Sequence, residues 1–271
     1  MPSWLLVSIE RLHAVIHEGQ GPVALLVHGA LGSRSYWHEN IPALQEVCRP
    51  VVLELWGHGL SPSPDDLARY EPAGYVSEFD HIRAELNEEQ VWLVGQSMGA
   101  ALVMHYAVAQ PHRVAGMIIT NSASGFADPE EWRERNRTVV GEIADQVDAE
   151  GVECLRDSWV NPGRSRRIGS DTLSLLSKEF GEHSAAGITA SFRVTNFSLP
   201  LGESLPEISA PVLFTNGVEE ERFQKHLPRV KLIPQVEIVD LPASHAVNAH
   251  DPEGWNRAVV DFFKRHTDIG V

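Results

Sequence analysis

The hydrophobic positions of the chain fall into short runs separated by longer amphipathic segments. Six runs have the pattern of buried strands, at residues 23–27, 51–55, 91–94, 117–121, 210–217 and 236–241. Most side chains in these runs are apolar, which is typical of strands covered on both faces. Helices are predicted at residues 35–47, 74–86, 100–110 and 252–265. Strands that alternate with helices over short connections predict a parallel sheet wrapped by helices on both faces.

The alternation is interrupted between residues 124 and 207, where helical patterns occur without a convincing buried strand. We therefore expect one α/β core domain, residues 1–123 and 208–271, and a helical insertion at residues 124–207. Two further strands are predicted near the N-terminus, at residues 4–9 and 11–17, where the mixed alternation is typical of a sheet edge.

Composition and charge restrict the partners. The 271 residues carry a formal net charge of −15, which argues against nucleic acid and anionic membrane surfaces and leaves a small-molecule substrate. Cys48 and Cys154 lie far apart without metal-site or disulfide spacing, so two free thiols are expected. The N-terminus lacks the basic region of a signal peptide, and no run is long enough to span a membrane. A cytoplasmic monomer or homodimer is the expectation.

The predicted strand at residues 91–94 runs directly into Gly-Gln-Ser-Met-Gly at residues 95–99, and an apolar helix follows. In this strand–turn–helix context, Gly-x-Ser-x-Gly predicts a serine on a sharp turn with its hydroxyl exposed. Such a turn strains the serine backbone, and Gly95 and Gly99 leave room because glycine has no Cβ. Ser97 is therefore the candidate nucleophile.

Four further motifs accompany this turn, at residues 28–33, 56–61, 217–220 and 244–247. They read His-Gly-Ala-Leu-Gly-Ser, Trp-Gly-His-Gly-Leu-Ser, Gly-Val-Glu-Glu and Ser-His-Ala-Val. With the serine turn between the second and third, they follow the order of the α/β-hydrolase fold superfamily, which the chain resembles over nearly its whole length. The resemblance implies a mostly parallel eight-stranded α/β-hydrolase fold, a helical cap at residues 124–207 and a catalytic triad in the order serine, acid, histidine.

A serine hydroxyl needs an adjacent base to act as a nucleophile near neutral pH. His245 is the candidate base, because it follows the last predicted strand by a few residues, as the histidine does in resembling proteins. His250 is a less favoured alternative. Among the other histidines, His28 and His58 are expected to shape their turns through backbone hydrogen bonds.

The triad acid is less directly indicated. Resembling proteins have it three residues after the glycine that ends the preceding strand motif, and Glu220 stands there in this chain. A carboxylate at this position orients the imidazole and stabilises its charged form. Glu219 is the second choice, and Asp128, after the strand at residues 117–121, is a further alternative.

The resemblance also implies an oxyanion hole formed by the backbone N–H groups of Met98 and Ala30. No metal-binding or nucleotide-binding motif occurs, so neither a metal nor a cofactor is expected. Because the residue at the turn is serine, chemistry through an aspartate ester, as in dehalogenases and epoxide hydrolases, is not expected.

The cap would cover Ser97 and set the specificity. Its aromatic side chains either line an apolar acyl pocket or pack the core of the cap itself. Trp132 and Trp159 are the candidate substrate contacts from the cap, and Gln96 and Leu31, which adjoin the candidate nucleophile and oxyanion donor, are those from the core.

The first hypothesis is a serine hydrolase that cleaves a small carboxylic ester, lactone or thioester. Residues 125–133 and 217–223 resemble segments of the menaquinone-pathway enzyme that eliminates pyruvate to form succinyl-hydroxycyclohexadiene carboxylate (SHCHC), using the same triad as a base. A lyase of that kind, or a carbon–carbon bond hydrolase, is the alternative, and arginines at residues 133–137 and 164–167 could bind a carboxylate substrate. A ligand receptor without catalysis is the third hypothesis.

Overall fold

The structure, a computed structural model, describes residues 10–267. Within this range seven strands form one sheet in the order β1-β3-β2-β4-β5-β6-β7. Their bounds are Ala14–Ile16 (β1), Val23–Val27 (β2), Arg49–Leu53 (β3), Val91–Gly95 (β4), Val114–Thr120 (β5), Val212–Gly217 (β6) and Val236–Leu241 (β7). β1 is antiparallel to β3 and every other pair is parallel. This confirms the mostly parallel sheet.

The number of strands differs from the expected eight. Of the two strands predicted near the N-terminus, the one at residues 4–9 lies outside the described residues. The other is shorter than predicted, because only Ala14–Ile16 pairs with β3.

Twelve α-helices are present in the described part of the chain. Their bounds are Ile41–Leu44 (α1), Pro72–Glu85 (α2), Met98–Ala109 (α3), Ala123–Phe126 (α4), Pro129–Glu150 (α5), Ser170–Phe180 (α6), Ala185–Ala190 (α7), Asn196–Ser198 (α8), Glu221–Gln224 (α9), Leu227–Val230 (α10), Val247–His250 (α11) and Pro252–His266 (α12). None of the helices between residues 10 and 267 is both long and apolar enough to cross a membrane.

The prediction of a single helix at residues 35–47 is wrong. The chain forms a 3₁₀ turn at Arg34–Trp37 and then the one-turn helix α1. Pro42 lies at the start of α1, where the missing N–H of proline has no cost and its fixed φ favours a new helix start.

Alternate residues of the central strands face two separate hydrophobic cores. In β2, Leu25 and Val27 contribute to one core, which includes Phe79 of α2. Ala24 and Leu26 contribute to the other, together with Trp255 and Phe262 of α12 and Leu44 of α1. The sheet is therefore covered on both faces, as its apolar strand pattern predicts.

Between β5 and β6 the chain forms α4 to α8 together with 3₁₀ and π turns and no strand. These helices have a third core, formed by α5, α6, α7 and the π turn Ser191–Thr195. One core-domain residue, Leu31, enters this cluster and is 2% exposed. The helical segment therefore packs on the loop that follows β2.

Candidate active site

Ser97 lies between the end of β4 and the start of α3 with φ 53° and ψ −115°. A non-glycine residue with positive φ costs about 1–3 kcal/mol, so surrounding contacts must hold it. The Ser122 hydroxyl and the Ala101 N–H both donate to the Ser97 carbonyl oxygen, at 2.6 and 3.2 Å. A Cβ at Gly99 would lie 2.1 Å from the Val27 carbonyl oxygen, so the space beside the turn admits only glycine.

Ser97, His245 and Glu220 form a hydrogen-bonded chain. The distance from Ser97 Oγ to His245 Nε2 is 2.8 Å, and that from His245 Nδ1 to Glu220 Oε1 is 3.0 Å. A carboxylate only accepts, so the imidazole carries its proton on Nδ1 and Nε2 is free to accept from the serine hydroxyl. This is the arrangement of a nucleophile, a base and an orienting acid.

Asn121, the residue after β5, holds Glu220 from the other side. Its side-chain amide donates to Glu220 Oε2 at 2.9 Å, and its carbonyl oxygen accepts from the Gly217 N–H at 3.0 Å. Asn121 is fully buried. Both carboxylate oxygens of Glu220 are therefore engaged, which restricts the direction in which the carboxylate meets the imidazole.

The alternative residues for the base and the acid lie elsewhere. Glu219 forms an ion pair with Arg167, and Asp128 accepts from the first N–H groups of α5 as its N-cap. His250 lies 2.8 Å from the Ser165 hydroxyl through Nε2. Of the candidate acids, the structure brings only Glu220 to His245.

The loop after β2 runs beside the serine, since a Cβ at Gly29 would lie 3.0 Å from Ser97 Cβ. Ala30 is partly exposed, and Met98 is the first residue of α3. The Met98 N–H belongs to the first turn of α3, where N–H groups have no intrahelical acceptor and the helix dipole favours negative charge. Both expected oxyanion donors thus lie on the two segments that meet at Ser97.

Comparison with known proteins agrees with this geometry. A family model described as the alpha/beta hydrolase fold matches residues 22–152. The structure of MenH from S. aureus superimposes with a TM-score of 0.83 over 94% of this chain and 98% of that chain, at 20% identity. The chain is an enzyme with the α/β-hydrolase fold.

The curated relatives of this chain include enzymes with different reactions. A Bacillus subtilis protein named as a 2-succinyl-6-hydroxy-2,4-cyclohexadiene-1-carboxylate synthase is 27% identical over 95% of this chain and 97% of its own length. The 3-oxoadipate enol-lactonase 2 of Acinetobacter baylyi is 24% identical over 89% of each chain. The similarity therefore extends through the helical segment as well as the sheet.

Three buried histidine rings contact one another in tilted and edge-on arrangements beside the loop that follows β2. The ring centroids of His28 and His58 are 5.2 Å apart, and those of His58 and His183 are 5.4 Å apart. Burial lowers the pKa of all three, to about 4 for His28, so the rings are neutral near pH 7. His28 and His58 hydrogen-bond to the Gly29 and Trp56 carbonyl oxygens, which agrees with the turn-shaping role expected from the sequence.

The structure places the four residues predicted to contact substrate in different surroundings. Trp132 is buried and donates through its indole N–H to the Asn196 carbonyl oxygen at 2.8 Å, so it packs within the helical segment. Trp159 is 79% exposed. Gln96 is 2% exposed and donates to the His245 carbonyl oxygen at 3.3 Å, and Leu31 is buried in the helical cluster.

Sequence reasoning did not single out Asn121, Ser122 or His183. Asn121 and Ser122 directly follow a buried strand, and a polar pair at the carboxyl end of a parallel strand is a signal that could have found them. His183 had no such signal, because its partners are distant in sequence.

Proposed function

We propose that this chain is a serine hydrolase that cleaves a small carboxylic ester, lactone or thioester through an acyl-enzyme on Ser97. The observation that carries the proposal is the hydrogen bond of 2.8 Å between Ser97 Oγ and His245 Nε2. With Nδ1 bonded to Glu220, this nitrogen faces the hydroxyl without a proton, as a general base must.

In the first half-reaction Ser97 Oγ attacks the substrate carbonyl carbon, and its proton passes to His245 Nε2. Glu220 stabilises the imidazolium that forms. The backbone N–H groups of Ala30 and Met98 stabilise the negative charge on the carbonyl oxygen by donating hydrogen bonds to it. One such donor contributes roughly 3 kcal/mol in related chemistry.

The tetrahedral intermediate then collapses, and His245 donates its Nε2 proton to the leaving alcohol or thiol. Water enters, gives a proton to the same nitrogen and attacks the acyl carbon. Collapse of the second intermediate releases the acid and returns the proton to Ser97. The helical segment, residues 124–207, acts as the cap over this chemistry in our proposal.

An SHCHC-synthase-like lyase is the second candidate, and the similarity to the Bacillus subtilis protein over 95% of this chain favours it. Such a reaction removes pyruvate from a substrate with several carboxylates and would use arginines to bind them. Four of the six cap arginines considered for this role already have partners, in Arg135–Trp132, Arg137–Glu134, Arg164–Asp157 and Arg167–Glu219 contacts. Because these arginines are already paired, their contacts favour a substrate with an uncharged acyl group over a polyanionic substrate. They therefore favour the hydrolase over the lyase.

The two candidates are separated by a series of p-nitrophenyl esters of increasing acyl length, assayed beside pyruvate release from the lyase precursor. We expect ester turnover that is lost in Ser97→Ala and kept in Ser170→Ala, a matched change at an exposed serine of α6. A folded wild-type protein that hydrolyses no ester, or an Ser97→Ala variant with full turnover, would contradict the hydrolase. Pyruvate release without ester turnover would establish the lyase.

A further inference from the structure

Leu31 has a backbone conformation that leucine rarely adopts. Its φ is 54°, and a non-glycine residue in this left-handed region costs about 1–3 kcal/mol. Leu31 directly follows Ala30, whose N–H is the proposed oxyanion donor. The loop therefore needs contacts from outside to keep the donor in place.

The contacts that hold Leu31 come from the cap. Its side chain is buried in the helical cluster with Phe180, Ile188 and Phe192. Its carbonyl oxygen lies 3.3 Å from Nε2 of His183, in the connection between α6 and α7. One cap histidine thus contacts the backbone next to the oxyanion donor.

The ring of His183 is fixed in the tautomer that this contact requires. The Gly59 N–H donates to its Nδ1 at 2.9 Å. A ring nitrogen that accepts carries no proton, so the neutral ring has its proton on Nε2 and donates it to the Leu31 carbonyl oxygen. His183 is 6% exposed, and burial lowers its pKa, which keeps the ring neutral near pH 7.

The core domain holds the Gly29–Ala30 peptide in a similar way. His28 Nε2 accepts from the Leu55 N–H at 3.2 Å, which leaves its proton on Nδ1 to donate to the Gly29 carbonyl oxygen at 2.7 Å. The Gly29 carbonyl and the Ala30 N–H belong to one planar peptide, so fixing the first directs the second. The loop is thereby held between a core histidine and a cap histidine.

We propose that His183 is a positioning residue for the oxyanion hole, so that the cap completes the catalytic site in addition to covering it. The inference rests on the proposed function. An oxyanion donor acts on charge that develops in the transition state, and its displacement therefore lowers kcat more than it raises KM.

Two variants separate hydrogen bonding from packing. His183→Phe keeps an aromatic ring against His58 and Phe180 but removes both hydrogen bonds. His183→Gln keeps one donor and one acceptor. His38→Phe is the matched control, because His38 is exposed and lies outside the proposed site.

With a p-nitrophenyl ester, we expect His183→Phe to lose about 10- to 100-fold in kcat with KM within about two-fold, and His183→Gln to recover most of the loss. Binding of a trifluoromethyl ketone, which forms an oxyanion on the serine, should weaken by the same factor as kcat/KM. A merely structural role would lower the melting temperature and leave both values unchanged in the folded variant, and that result would overturn the inference.

Hydrogen–deuterium exchange of the peptide that covers residues 28–33 tests the inference without turnover. We expect faster exchange there in His183→Phe, and wild-type exchange in His183→Gln and His38→Phe. Unchanged exchange in His183→Phe would refute the positioning role even if wild type hydrolyses no ester. Lack of ester turnover in wild type would instead refute the proposed function, so the two failures are distinguishable.

Discussion

We expect Glu220→Gln to abolish activation of the Ser97 nucleophile, because the hydrogen bonds around residue 220 would fix His245 in the wrong tautomer. The Asn121 amide donates to Glu220 Oε2 at 2.9 Å, so a glutamine would turn its carbonyl oxygen toward Asn121 and its NH₂ group toward His245. The NH₂ group then donates to Nδ1, which moves the imidazole proton to Nε2. A protonated Nε2 cannot accept the proton of the Ser97 hydroxyl.

The size of the effect follows from the tautomer. A serine triad whose histidine is held in the wrong tautomer loses about 10⁴-fold in kcat, which corresponds to about 5 kcal/mol of transition-state stabilisation. Glu219→Gln is the matched control, because Glu219 is 47% exposed and pairs with Arg167 at the surface. An exposed ion pair contributes ~0–1 kcal/mol, and 1 kcal/mol corresponds to a factor of about five, so this variant should change kcat by less than about five-fold.

The measurement is the rate at which a fluorophosphonate labels Ser97, monitored by intact-protein mass spectrometry. Ester turnover is measured on the same variants. Labelling reports on serine activation directly and does not depend on knowledge of the natural substrate. Circular dichroism shows that each variant is folded. The reasoning would be refuted if folded Glu220→Gln kept labelling within about ten-fold of wild type, or if Glu219→Gln lost as much as Glu220→Gln.

Three further variants test the surroundings of the triad. Asn121→Ala frees one oxygen of Glu220, and we expect about a ten-fold loss in kcat with KM unchanged, measured by ester turnover; a rise in KM alone would contradict this. Gly99→Ala places a Cβ 2.1 Å from the Val27 carbonyl oxygen, so the melting temperature and labelling should both fall; wild-type values would contradict the steric reason. Burial lowers the pKa of His28 to about 4. In the unfolded chain the ring titrates near pH 6.5. The contribution of neutral His28 to the free energy of unfolding is therefore complete above pH 6.5, and roughly 3 kcal/mol of it is lost as the pH falls through 4. Urea unfolding should show a shallower pH dependence in folded His28→Gln than in wild type, and equal slopes would contradict this.

The hydrophobic pattern of this chain determined its architecture, since apolar strands alternating with helices can bury both faces only as a parallel sheet covered on two sides. The turn at Ser97 was also determined locally, because Gly95 and Gly99 leave the room that its positive φ requires. The position of His245 relative to β7 followed from the order of the motifs.

Contacts between distant segments were decided by the tertiary structure alone. Glu219 and Glu220 are adjacent and chemically alike, and only the turn after β6 directs one to His245 and the other to Arg167. The sequence interval between His183 and Leu31 likewise contains no indication that they meet. Periodicity reports which face of an element is buried, but a hydrogen bond depends on the position and direction of two groups to within a fraction of an ångström. The packing of the helical segment, residues 124–207, on the rest of the fold sets the positions of Arg167 and His183 relative to their partners.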